Sequence, residues 1–92
     1  MAAMKVFIPN SVVDKLADIA SPKDLESILS VLKVLERAPL QGSIQVPFLT
    51  EDPPIRLTTA GKFRILFKAR EDRGRIEVLD ISPIEEWASA SS

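Results

Sequence analysis

Ninety-two residues, 46% hydrophobic and 27% charged, make one modest folded domain, too small for two cores and too apolar for a disordered chain. The absence of Cys and His excludes disulfides, thiolate zinc sites, Ser-His-Asp triads and Cys-His pairs, and a formal net charge of -1 with a pI near 5.4 sets the chain as a whole apart from nucleic-acid binders. No apolar run reaches membrane-spanning length and the N-terminus lacks the basic-then-apolar pattern of a signal peptide, so a single cytoplasmic domain over residues 1–92 is expected, with no cofactor and no metal.

Met4-Lys5-Val6-Phe7-Ile8, closed by Pro9-Asn10, reads as a first strand. Ser11 then stands in an N-cap position with Asp14 three residues on, and Val12, Val13, Leu16, Ala17 and Ala20 fit one side of a short helix. Ser21-Pro22-Lys23-Asp24 repeats the start signal, since Pro at the first helical position loses no needed hydrogen bond. In the second helix Leu25, Ile28, Leu29, Leu32 and Leu35 follow the i, i+3, i+4, i+7 rule, and Val31 and Val34 widen the stripe toward two neighbours. Ala38-Pro39 ends it.

Ile44-Gln45-Val46 could begin a strand, but Pro47 and Asp52-Pro53-Pro54 limit it to a short or edge piece. Ile55 to Thr59 is a better strand, and Ala60-Gly61 turns into Lys62. From Lys62 to Ser82 the pattern is a hairpin: Phe63, Ile65 and Phe67 alternate with Arg64, Leu66 and Lys68, then Ile76 and Val78 alternate with Glu77 and Leu79. Glu71-Asp72-Arg73-Gly74 supplies the turn, with Gly74 suited to a positive φ. Besides Lys62, which opens it, five of the twelve basic residues, Arg64, Lys68, Arg70, Arg73 and Arg75, crowd this hairpin. Ile84-Glu85-Glu86-Trp87 could make one helical turn, with Trp87 capping the core or anchoring an interface, and residues 88–92 are expected to fray. Strand, helix, helix, then a three-stranded antiparallel meander predicts an α+β fold with the helices packed on one face of the sheet.

That order, with Val6-Phe7-Ile8, Leu35-Glu36-Arg37-Ala38-Pro39, Arg56-Leu57, Gly61-Lys62-Phe63-Arg64-Ile65-Leu66-Phe67 and Ile76-Glu77-Val78-Leu79-Asp80-Ile81, resembles the RelE/ParE superfamily of bacterial toxin-antitoxin modules. The resemblance spans nearly the whole chain. It implies a toxin-like domain wrapped by a cognate antitoxin. RelE-like members cut messenger RNA on the ribosome with a basic cluster, making them mRNA interferases that arrest growth, whereas ParE-like members act on DNA gyrase. Arg64 matches the Arg of the family's aromatic-Arg-aliphatic strand and Arg56 the basic residue opening the preceding strand. Many nuclease members carry a Tyr, His or Arg after the last strand, and Ser82 to Trp87 has none.

Cleaving RNA by attack of its 2′-hydroxyl needs a proton acceptor, a donor for the leaving oxygen and cations for the transition state. Arg56 and Arg64 could stabilise charge. Without His the base falls to Lys62, Lys68 or a carboxylate such as Glu77, and a lysine serves as base only with a lowered pKa. Arg70, Arg73 and Arg75 could touch phosphate. The structural alternative for the same residues is a solvated sheet face in which Arg64 and Lys68 are paired to Glu77, with charged turn residues that simply face water. Three functions follow: an antitoxin-inhibited toxin that cleaves RNA if Arg56 and Arg64 lie together, a gyrase-directed or otherwise non-nucleolytic relative, and a small protein-binding domain of the same architecture.

Overall fold

A computed structural model describes residues 4–46 and 52–85. The elements run β1 (Lys5–Phe7), α1 (Asn10–Ile19), α2 (Pro22–Arg37), β2 (Ile44–Gln45), β3 (Ile55–Ala60), β4 (Phe63–Arg70) and β5 (Arg75–Pro83), with Glu71–Arg73 forming a 3-10 turn between the last two strands. The expected strand, helical pair and meander are all present. The sheet order is β1-β5-β4-β3-β2, so the first strand joins at an edge, parallel to β5, while β2 to β5 pair antiparallel. Trp87 and the tail lie outside the described residues. Among those residues no helix is long and apolar enough to cross a membrane.

The helix starts show how local chemistry sets the boundaries. At α2 the Ser21 hydroxyl accepts from the Asp24 N–H at 3.2 Å while the Asp24 carboxylate accepts from the Ser21 N–H at 3.0 Å, a reciprocal capping box with Pro22 at the first turn. At α1 the expected Ser11 cap is not used. The helix begins two residues earlier, with Pro9 as cap and no side-chain cap bond. The Pro9 carbonyl accepts from Val12 and Val13 at 3.0 and 3.1 Å, which leaves Ser11 inside the first turn.

Val12 and Leu16 of α1 and Ile28, Leu32 and Leu35 of α2 pack on Phe63, Ile65, Phe67, Ile76, Val78 and Ile81 of the sheet. The helices therefore cover one sheet face, called here the near face. The buried stripe of α2 is narrower than its apolar pattern: Leu25, Leu29 and Val34 are exposed, because a helix laid on one sheet presents a single line of side chains to it and the rest turn to solvent.

Two turns and one bulge fix the register. Gly61 and Gly74 both have φ of 61°, a conformation that side chains with a Cβ resist. The tight turn at Gly61-Lys62 sets Ala60 opposite Phe63. In β5, Val78 pairs with Phe67 and Asp80 with Leu66, so Leu79 is an extra residue with no partner, a β-bulge. The bulge shifts the alternation by one and returns Ile81 to the core beside Ile65.

Candidate functional site

Residues directly opposite in antiparallel strands point to the same side of the sheet. The pairs Arg56 with Phe67, Thr58 with Ile65 and Ala60 with Phe63 therefore put Arg56 on the near face with the aromatic core. The pairs Thr59 with Arg64, Leu57 with Leu66 and Ile55 with Lys68 put Arg64 and Lys68 on the far face. The two arginines expected to act together stand on opposite sides of the sheet. The Arg56 guanidinium is consumed by the turn after α2: Nε donates to Ser43 Oγ at 2.7 Å and Nη2 to the carbonyls of Ser43 and Leu40 at 2.8 and 3.2 Å. Thr58 Oγ1, on the same face, donates to the Gly42 carbonyl at 2.6 Å. Together they pin residues 39–43 onto β3. Arg56 also borders a cleft of about 600 Å³ that it shares with Arg70 from the other side of the sheet, rimmed by Asp52, Glu71 and Asp72.

Of the other expected site residues, Arg70 and Arg75 share the far face with Arg64 and Lys68, since Arg70 pairs with Arg75 and Lys68 with Glu77 across the hairpin. Lys62 sits in the exposed turn between β3 and β4, separated from Arg56 by the length of β3, about 20 Å. Arg73 lies exposed in the turn at the opposite end of β4. The seven residues thus fall into a far-face group of four, a near-face structural arginine and two turn cations. No single catalytic cluster gathers them.

The far face holds two ion clusters of matching composition. In the first, Asp80 takes Lys15 Nζ at 3.2 Å, the Ser82 hydroxyl at 2.6 Å and Arg64 Nη2 at 3.6 Å, while Lys15 also donates to Ser82 Oγ at 2.5 Å. In the second, Glu77 takes Arg70 Nε and, at 2.6 Å, Arg75 Nη2, and Arg75 lies over the Phe7 ring at 5.3 Å from its centre. The expected Arg64 pairing to Glu77 is replaced by Asp80, because the bulge at Leu79 brings Asp80 opposite Leu66, next to Arg64 on the same face. An apolar row, Ile44, Leu57 and Leu66, runs across the strands to Asp80. Lys15, Asp80 and Ser82 were not among the residues expected from sequence.

Both carboxylates are poor proton acceptors at neutral pH. Burial pushes the Asp80 carboxyl up, but the Ser82 and Lys15 hydrogen bonds and the Lys15 and Arg64 charges outweigh it and hold the group below its ordinary value. The Arg70 hydrogen bond is the main cause that holds Glu77 low, against a smaller opposing push from desolvation and with Arg75 assisting. A carboxyl with a depressed folded pKa holds fewer protons in the folded than in the unfolded chain, so its stabilisation is full above the unfolded value, roughly 4, and is lost as pH falls through the folded value. The urea midpoint is expected to stay level from pH 7 to about 5 and to drop below about 4. Asp80→Asn should soften that drop. A midpoint that rises on acidification would contradict the pairing.

No protein-family model matches the chain, and no curated protein does. Solved structures do. One is a chain of the toxin-antitoxin complex RelBE2 from Mycobacterium tuberculosis, 16% identical, with a TM-score of 0.72 over 90% of this chain and 93% of that one. Another is a chain of the archaeal RelE-RelB complex from Pyrococcus horikoshii, 17% identical, with a TM-score of 0.73 over 88% of this chain and 94% of that one. The fold is RelE-like, as the sequence phrases implied.

Proposed function

We propose that this RelE-like chain is the toxin component of a toxin-antitoxin module, held inactive by a cognate antitoxin and meeting its target through the far face of the sheet. The observation that carries the reading is the likeness of about nine-tenths of the chain to chains of two such complexes. Charge supports the choice of face. Lys5, Lys15, Arg64, Lys68, Arg70 and Arg75 stand there against Asp80 and Glu77, a surplus of four positive charges among these residues on a chain whose formal net charge is -1.

Within that reading, the far face is better suited to binding than to acid-base chemistry. Ribosome-dependent mRNA cleavage, the finer activity implied by the resemblance, would need a base that Asp80 and Glu77 are poorly placed to be, and Arg56 lies across the sheet from Arg64. The chain has no His or Tyr to take the role. This favours the second reading, a gyrase-directed or otherwise non-nucleolytic relative whose target is another protein or its nucleic acid.

Induced expression in a bacterial host tests both levels. Growth arrest that co-expression of the neighbouring short reading frame relieves is the expected result. Healthy growth with verified soluble protein would remove the toxin reading. Among arrested cells, rapid messenger loss would restore the cleavage activity, and a DNA damage response would select the gyrase-directed one.

A further inference from the structure

We propose that α1 is a strapped cover: it lies along the outer edge of β5, is held there by Lys15, and opens by itself while the rest of the fold stays closed. Opening uncovers Ser82 and the β5 edge.

The position of the cover follows from the pairing. β1 meets β5 only at Arg75 to Glu77, so among the described residues the edge of β5 from Val78 to Pro83 that faces away from β4 has no strand beside it. Chain direction carries α1 there, because β1 runs parallel to β5 and α1 starts three residues after Phe7. The lengths agree, since a helix of ten residues spans about 15 Å and the open stretch of strand about 20 Å. The contacts agree as well. Val12 and Leu16 join the near-face core, while Lys15 bonds Asp80 and Ser82, whose side chains stand on the far face. A helix that touches both faces stands across the border of the sheet. That placement explains why Ser82, the one buried polar residue among the described residues at 3% exposure, is covered on the side of the sheet that carries no helix.

The attachment of the cover is thin. Whereas α2 begins with a reciprocal capping box, has Asp24 in its first turn and Arg37 in its last, and buries Ile28, Leu32 and Leu35, α1 has no side-chain cap bond, no acidic residue in its first turn and no basic residue in its last, and buries only Val12 and Leu16. A helix of ten residues with such ends does not hold its shape alone. It persists through docking, and its polar hold on the sheet is Lys15, which donates to Asp80 at 3.2 Å and to Ser82 at 2.5 Å. Both flanks are tied down separately, β1 by strand pairing and Ser21 by the α2 cap. The residues between them can therefore unfold without releasing either anchor, and an element with so little buried surface opens below the global transition.

Native-state hydrogen exchange in rising urea tests this on the wild-type chain, Lys15→Met and Arg56→Ala. In the wild type the amides from Val13 to Ala20 are expected to exchange together, about tenfold or more faster than those of α2 and β4, and with a weaker urea dependence because a small unit exposes little surface. Lys15→Met, which keeps the aliphatic stem and removes the ammonium, should speed the α1 amides about tenfold. Arg56→Ala weakens contacts that stay made when α1 opens. It should speed the α2 and β4 amides and leave the α1 amides within about twofold of wild type. The chain has no cysteine, so Ser82→Cys supplies a single buried thiol, and its labelling by a disulfide reagent should share the weak urea dependence of the α1 amides.

Exchange of α1 in step with α2 and β4, or α1 amides that speed up with them in Arg56→Ala, overturns separate opening. Unchanged α1 exchange in a folded Lys15→Met chain overturns the strap. Thiol labelling that follows the α2 and β4 amides overturns the uncovering of Ser82. If Lys15→Met does not fold, the other three chains decide whether the cover opens. These measurements involve neither cells nor target, so failure here leaves the toxin reading standing, and a chain that does not arrest growth leaves the cover standing.

Discussion

Phe67→Ala is expected to cost about 3–5 kcal/mol of folding stability, the largest loss among the substitutions argued here. Phe67 is fully buried and sits at the middle of the longest antiparallel pairing, opposite Arg56 on one side and Val78 on the other. It belongs to the core cluster that also holds Leu32 and Leu35 of α2 and Val12 of α1. Truncation removes the apolar area and leaves a void that the flanking strands cannot close, since their spacing is held by the hydrogen-bond ladder. A chain of 92 residues has roughly 5–14 kcal/mol in total, so the variant should be partly unfolded at growth temperature. Urea unfolding would show a much lower midpoint with the slope unchanged. Leu29→Ala, whose side chain is exposed on the outer side of α2, should change the stability by no more than about 0.5 kcal/mol. A Phe67→Ala loss below about 1 kcal/mol would mean that the sheet and helices do not share one core.

The contrast between those two positions also shows what patterning carries and where it stops. Alternation placed Phe63, Ile65 and Phe67 inward, and the Ser21 and Asp24 spacing marked the start of α2, because each is a short-range rule acting within one element. The apolar stripe of α2 was overdrawn at Leu25, Leu29 and Val34, since a pattern cannot say how many neighbours a helix has. The failure at Arg56 is more instructive. Ile55 and Leu57 are the apolar positions of β3 and invite the assignment of Arg56 to the outer side, but the two-residue turn at Gly61-Lys62 pairs Ala60 with Phe63 and carries that parity back to Arg56. Register overrode hydropathy. It could do so because the turn at 39–43 supplies carbonyls that satisfy the guanidinium where it lands.

Lys15, Asp80 and Ser82 escaped for a different reason. Lys15 lies 65 and 67 positions from its partners, and an isolated lysine on an amphipathic helix has no local signature. The bulge at Leu79 is equally silent, although it decides that Asp80 rather than Leu79 faces Arg64. A signal was available in principle, since strict alternation from Ile76 through Val78 would have left Ile81 on the far face.

Replacing the two arginines separately is expected to divide stability from toxicity. For Arg64→Ala the prediction is loss of growth arrest with the fold kept, because Lys15 and Ser82 still satisfy the Asp80 carboxylate that Arg64 meets at 3.6 Å. For Arg56→Ala the prediction is the reverse. Three hydrogen bonds to Ser43 and Leu40 disappear, leaving the part-buried Ser43 hydroxyl and carbonyl without this donor, at a cost of about 1–3 kcal/mol, and arrest should fall only as far as soluble protein does. Arg64→Lys should lie between wild type and Arg64→Ala, since an ammonium keeps the charge and loses the paired donors. The measurements are surviving colonies after induction, soluble protein by immunoblot, and urea midpoints of the purified chains. Full arrest by a soluble Arg64→Ala chain would take the far face out of target binding. Complete loss of arrest by a stable, abundant Arg56→Ala chain would move the active surface to the cleft that Arg56 shares with Arg70.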